Sequence, residues 1–329
     1  MDVLSDAVAL MRTGRVRSAR MGWDGPWAQA FAPVPGAAGF HVVLHGDCWL
    51  LRDGFAPLHL RTGDVVFRPH GRGHVLADSP ATRPVTPACA PGDPILEPPP
   101  AGEETITLCG AYEVEPELVH PMISDLPELI HLRARPGDGI TAGLGPVVGQ
   151  LATELTEPGP GSDALIPALL DMMLVHVLRA WLRGDPGDRR EAGREPGGEG
   201  SAGWAVALRD PVIGAALRAM HREPGRDWTV AGLAAEAGLS RAPFARRFAA
   251  VAGWPPMAYL TWWRLSLAAR MLRTGDLTLR GVAERVGYGS EFAFAAAFKR
   301  RFGVAPGRYR RVERESADRG TAMPGAAHW

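Results

Sequence analysis

Two segments, SRAPFARRF from Ser240 and SEFAFAAAFKRR from Ser290, set hydroxyl and guanidinium groups at helical spacing beside a phenylalanine stripe. Phe244 and Phe248 in the first, and Phe294, Phe298 and Phe302 in the second, recur every four residues, the period of a face that packs inward. The positions off that stripe are Ser240, Arg241, Ala242, Ala245 and Arg246 in the first segment, and Ser290, Glu291, Ala295 and Ala296 in the second. Arginine can donate two hydrogen bonds to the O6 and N7 atoms of guanine, and an alanine methyl can touch that of thymine. Arg246 suits such a base contact, a phosphate contact being its alternative. Lys299, Arg300 and Arg301, followed by Arg308 and Arg310, suit phosphates.

These side chains need a scaffold that presents one helix of each segment, and the sequence supplies it twice. Before each helix lies another, joined to it by a short glycine turn. The copies align at an offset of 49 up to the turn (Leu233 with Val282, Gly238 with Gly287) and 50 after it (Ser240 with Ser290, Phe248 with Phe298, Tyr259 with Tyr309). One inserted turn residue accounts for the change. The pattern is a duplicated helix-turn-helix, with double-stranded DNA as the partner. Between the copies, residues 256–272 read as one helix of about 25 Å, a spacer suited to holding two recognition helices one DNA repeat apart.

Charge agrees with that partner. The whole chain is neutral, with 36 basic and 36 acidic residues, but from Trp204 onward 20 basic residues face 10 acidic ones. By difference, the remainder carries 16 against 26. A basic region of this kind suits a polyanion. The glycine-rich run at 184–203 reads as a flexible linker. Three cysteines are too few for a disulfide framework, no apolar run suits a membrane span, and the charged first 20 residues show no export signal. A cytoplasmic protein with no membrane partner is expected.

Ahead of the linker, β-type runs at 40–44, 48–52, 58–60, 64–68 and 105–112 predict a small all-β barrel or sandwich, with a long proline-rich loop at 80–104. Helices are expected at 144–155 and 163–183. The apolar stripe of the second (Leu165, Leu169, Met172, Met173, His176, Leu178, Trp181) suits either packing on the β domain or a homodimer. Five histidines (His41, His45, His59, His70, His74) lie in the β region. Cys48 and Cys109, on predicted strands, are read as buried residues or redox-sensing thiols. Trp23, Trp27 and Trp49 are read as ligand-cavity walls or core. The candidates for binding an effector or sensing redox state are His41, His45, Cys48, Trp49, His74 and Cys109; no metal or cofactor is expected.

SRAPFARRF, YLTWWRLSLAARML and VGYGSEFAFAAAFKRRFGVAPGRYR resemble the DNA-binding domain of the AraC/XylS family of regulators, over residues 210–311. The N-terminal half resembles the cupin-type sensory domain of one branch of that family. Gly63, Pro69, Gly71, His74 and Asp78 are similar in spacing to the second cupin motif, with aspartate where asparagine is usual. The first motif would supply H-x-H and a glutamate, but His41 and His45 are four positions apart. Where the family commonly has an arginine in the second recognition helix, this chain has Ala296.

The resemblance implies an α+β two-domain chain: an N-terminal cupin-like β-barrel with trailing helices and a C-terminal all-α domain with two helix-turn-helix motifs. The expected divisions are a sensory domain at 1–140, a helical, possible dimerisation segment at 141–183, the linker at 184–203, the DNA-binding domain at 204–315 and a disordered tail at 316–329. The implied function is transcription regulation at promoter DNA, with RNA polymerase as a partner and a small-molecule or redox signal acting on the β domain. The alternative is a metal-dependent cupin enzyme with an appended helical domain, distinguished by iron, manganese or zinc bound stoichiometrically at His74.

Overall fold

The computed structural model describes residues 2–11, 15–85, 88–89, 104–113, 118–134, 143–183 and 203–321. The chain divides into two units, Ala7–Ser201 and Met1–Asp6 with Ala202–Trp329.

Helix α1 (Val3–Met11) opens the chain, with the Asp2 carboxylate accepting from the Ser5 amide at 2.9 Å. Nine strands follow among the described residues: β1 (Arg15–Trp23), β2 (Ala28–Phe31), β3 (Ala37–His45), β4 (Asp47–Leu51), β5 (Leu58–Arg61), β6 (Val65–Arg68), β7 (His74–Ala77), β8 (Thr105–Glu113) and β9 (Ile130–Leu132). A single helical turn, α2 (Pro121–Ser124), lies between the last two strands. The strands form two antiparallel sheets, ordered β1-β8-β3-β6-β9 and β2-β7-β4-β5. Strand side chains alternate between faces, and the inward set includes Met21, Val43, Cys48, Leu50, Val66, Leu76 and Cys109. The five strands expected from sequence form within a residue or three of their predicted ends. The proline-rich loop falls largely outside the described residues, although Cys89 bridges to Phe31.

Helices α3 (Leu144–Thr156) and α4 (Ser162–Arg183) pack against each other, α3 also meeting β1 and α4 meeting β9. In α4, Leu169, Met173, Leu178 and Trp181 of the expected stripe are buried, whereas Met172 is exposed. By length and composition α4 could cross a bilayer. Its apolar face is nevertheless already used by protein, and Asp171 and Arg179 interrupt it.

The second unit is helical: α5 (Gly203–Arg209), α6 (Pro211–Arg222), α7 (Val230–Glu236), α8 (Arg241–Ala252), α9 (Pro256–Thr274), α10 (Leu279–Arg285), α11 (Glu291–Phe302) and α12 (Pro306–Thr321). Helix starts are capped by side-chain oxygens, which satisfy amides that have no partner in the helix itself. Asp210 accepts from Val212 and Ile213, Thr229 from Gly232, and Thr278 from Gly281. Gly253 and Gly303 end α8 and α11 in the same left-handed conformation, each at φ 73°.

Two boundaries differ from expectation. The division at 1–140 placed the first residues with the β domain, but Met1–Asp6 belong to the helical unit. There the fully buried Asp6 carboxylate accepts from Nδ1 of the equally buried His221 at 2.8 Å. The tail expected to be disordered from 316 is instead helical as far as Thr321. The tail continues α12, which is tied down just ahead of it by Arg314 on Asp276 (2.6 Å) and Glu313 on Arg273 (2.9 Å). The linker at 184–202 and the last eight residues lie outside the described residues.

Candidate nucleic-acid interface and the buried histidine cluster

Each helix-turn-helix is built the same way. Helix α7 packs on α8, and α10 on α11. Phe244 and Phe248 anchor α8 in the core; Phe294 and Phe298 do so for α11, with Phe302 half-buried beside Tyr309. The turns pivot on Gly238 (φ 67°) and Gly287 (φ 80°), a conformation that side chains disfavour. At Gly287 a Cβ would also lie 2.7 Å from Nη2 of Arg264. That guanidinium donates to the Pro224 and Arg226 carbonyls at 2.7 and 2.8 Å, tying α9 to the loop before α7.

The anchored stripes leave the opposite faces open. Ser240, Arg241, Ala242 and Arg246 are exposed, and Ala245 is half-buried. Arg241 and Arg246 form no ion pair among the described residues, whereas the neighbouring Arg247 is held by Asp210 at 2.6 and 2.9 Å. On the second helix Ser290, Glu291, Ala296, Lys299 and Arg300 are exposed, while Ala295 and Arg301 are half-buried. Arg308 is exposed, but Arg310 donates to the Leu277 carbonyl at 2.6 Å and is committed to the fold.

Ser240 stands at the N-cap position of α8, yet its side chain makes no cap hydrogen bond. The third residue of α8 is Pro243, which has no N–H to offer. In α11 the equivalent residue is Ala293, whose amide reaches Ser290 Oγ at 3.5 Å. The Ser240 hydroxyl is therefore not used by a cap.

In the β unit the sequence candidates separate into two groups. His41, His74 and Cys109 come together, because β3 and β8 pair with His41 opposite Cys109. His41 Nε2 lies 2.6 Å from His74 Nε2, and His41 Nδ1 lies 2.9 Å from Cys109 Sγ. Arg68, 5% exposed at the end of β6, donates from Nη1 to His74 Nδ1 and from Nη2 to the Gly73 carbonyl. A guanidinium can only donate, so His74 carries its proton on Nε2 and gives it to His41 Nε2. His41 is then protonated on Nδ1, which faces the sulfur. Phe31 stacks on His74 at 4.7 Å.

The remaining candidates lie elsewhere. His45 is exposed, Trp49 stacks on His59 at 4.6 Å, and Cys48 is a fully buried core residue. Trp27 is core and stacks on the half-buried Trp23 at 4.4 Å. His70 bonds to the Leu126 carbonyl, and no group of three or more His, Cys, Asp or Glu among the described residues could hold a metal ion. Sequence reasoning missed Arg68. The signal was a basic residue closing the apolar run VVFR.

Burial, reinforced by the Arg68 charge, lowers the His41 pKa to about 3 and holds that of His74 well below the ordinary value; for His74 the His41 ring contributes as well. Both rings are neutral at physiological pH. Burial pushes the Cys109 and Cys48 thiols up to about 12, so neither is a thiolate. A histidine with a depressed folded pKa binds its proton more readily when unfolded. Its stabilisation is therefore complete above about pH 6.5 and is lost as pH falls toward 3. His41 alone should remove about 2 kcal/mol between pH 6.5 and 5. Urea unfolding of the β-unit transition at those two pH values measures this, and equal midpoints would contradict neutral, buried rings.

A β-barrel unit joined to a duplicated helix-turn-helix with open recognition faces defines a DNA-binding regulatory protein. A cupin family model matches residues 2–183, and a helix-turn-helix domain model matches residues 233–312. A putative AraC-like transcription regulator of Streptomyces lividans is 35% identical over 94% of this chain and 98% of its own length. One of Streptomyces antibioticus is 33% identical over 94% and 99%. The DNA-binding domain of AdpA, solved in complex with a target DNA, is 32% identical over 34% of this chain and 99% of that one, with a TM-score of 0.32. The chain belongs to the AraC family of transcription regulators and carries a cupin domain ahead of its helix-turn-helix domain. It is a regulator, not an enzyme, as its relatives' names indicate.

Proposed function

We propose that this regulator docks α8 and α11 into successive major grooves of promoter DNA, and that a signal received by the β unit sets the DNA-competent fraction. The observation that carries the reading is the pair of equivalent helices, each anchored by buried phenylalanines and each open on its other face. On α8, Arg246 reads a guanine edge, while Arg241 and the uncapped Ser240 hydroxyl hold phosphates. On α11, Ala295 and Ala296 offer apolar contact only, and Lys299, Arg300 and Arg301 grip the backbone. Helix α9, about 28 Å long at 1.5 Å per residue, keeps the two apart. The regulator acts in the cytoplasm, where promoters and RNA polymerase are. A ligand that prefers one arrangement of the chain shifts its population toward or away from DNA.

Salt dependence tests the contact census. With about five basic side chains on phosphates (Arg241, Lys299, Arg300, Arg301 and Arg308), log K should fall against log salt with a slope of about −4.5 for the full chain on its promoter. Fluorescence anisotropy from 50 to 300 mM salt measures this slope, and a value near zero would remove phosphate contacts from the account.

A further inference from the structure

The rim of the β unit beside Gly73 and His74 holds more positive charge than the described residues neutralise. Arg68 is 5% exposed, and its Nε has no acceptor although Nη1 and Nη2 are engaged. Arg52 follows β4, whose register sets Leu51 opposite Val75; this brings Arg52 level with His74. Its Nε and Nη1 are buried and also have no acceptor, and its guanidinium lies 4.3 Å over the Phe55 ring. Burial, and after it the Arg52 and Arg72 charges, lower the Arg68 pKa to about 10. Glu128 is the carboxylate whose charge reaches Arg52 and Arg68. It is already paired with Arg72 at 3.1 Å. Among the described residues, two guanidiniums thus remain, each with buried N–H groups and no counter-charge of its own. An uncompensated buried charge is costly, and a bound anion relieves that cost.

We infer that Arg52 and Arg68 form an anion site that takes a small dicarboxylate, one carboxylate for each guanidinium. This rests on the β unit being the sensory part, and it gives that unit an entry point. The occupant arrives at the outer end of the Arg68–His74–His41–Cys109 chain, where Arg68 meets its acceptors. Planar guanidiniums match carboxylate geometry, and a dianion balances the two unmatched charges. The half-buried Phe31 and Phe55 rings leave apolar walls beside them for a short carbon skeleton.

The probe is succinate, with uncharged succinamide and inorganic phosphate as controls, added to the full chain at constant ionic strength. Succinate should raise the thermal midpoint of the β unit by several degrees and bind with a measurable heat; succinamide should do neither. Arg52→Met should abolish the succinate response while its ligand-free midpoint stays equal or rises, because one unbalanced charge is gone. Arg68→Met should also lose the response, though its loss of contacts with His74 and Gly73 lowers the starting midpoint. An equal response to succinate and succinamide, no response to either succinate or phosphate, or a response that survives Arg52→Met would overturn the site. Stabilisation by phosphate but not succinate would overturn the dicarboxylate assignment. Promoter affinity measured alongside separates the two layers. Succinate bound through Arg52 with unchanged DNA affinity leaves the anion site standing and removes the sensory reading.

Discussion

Arg246→Ala should lower affinity for the native promoter about five- to 150-fold and relax the base preference in the groove read by α8. The size follows from one bidentate arginine–guanine contact, about 1–3 kcal/mol. Arg246 is exposed and off the Phe244–Phe248 stripe, so the variant keeps its helical content. The second copy provides the reciprocal experiment. Ala296 occupies the equivalent position on α11, also exposed, and Ala296→Arg should gain affinity chiefly at sites with guanine in the second groove. Selection of binding sites from a random pool, under one salt condition for all three proteins, reads both effects. If Arg246→Ala weakens every sequence equally, Arg246 is a phosphate anchor and the division of labour between the helices falls.

Asp6→Ala should cost the helical unit about 2–3 kcal/mol, even though residue 6 lies 215 positions from its partner. The carboxylate accepts from His221 Nδ1, His221 Nε2 accepts from the Tyr259 hydroxyl at 2.6 Å, and the imidazole stacks on Trp263 at 4.1 Å. Burial keeps His221 below its usual pKa despite Asp6, so the ring is neutral. Without the carboxylate a buried N–H loses its charged acceptor, and that asymmetry sets the magnitude. Asp6→Asn retains an oxygen acceptor and should lose less than half as much. Denaturant unfolding followed by tryptophan fluorescence measures both variants, with Trp262 and Trp263 as reporters in α9. An Asp6→Ala midpoint equal to wild type would show that the N-terminal helix adds nothing to this unit. A fragment beginning at Trp204 lacks Asp6 and should share the deficit.

The helical unit was legible because its signals are local and occur twice. Phenylalanines at four-residue spacing and turn glycines each imply one geometry, and repetition at a nearly fixed offset removes chance. The β unit was harder to read. In β1, RVRSARMGW sets arginine or serine between apolar residues, and its inward positions include the small Ala19, so the alternation is faint. β7 is four residues long and begins at His74, inside a glycine-rich stretch that reads as a loop. The cluster around His41 depends on cross-strand register, which no local pattern encodes. Sequence spacing grouped His41 with His45, whereas a bulge between Val43 and His45 sends the latter to the surface. Asp6 was invisible for the same reason, since its partner is 215 residues away.

The row of donors from Arg68 to Cys109 has a direction. Each imidazole holds one mobile hydrogen, and the guanidinium, unable to accept, decides on which nitrogen both reside. The two rings thus switch together or not at all, like a toggle with a single catch. A guest that draws the Arg68 Nη1 donor away from His74 releases the catch, and both hydrogens are then free to shift one place toward the rim. Cys109, a protonated thiol in the interior, would turn from recipient into donor. Were a guest to bind at the edge of the barrel, its presence would register between β3 and β8 as the location of two protons, with no strand having to move.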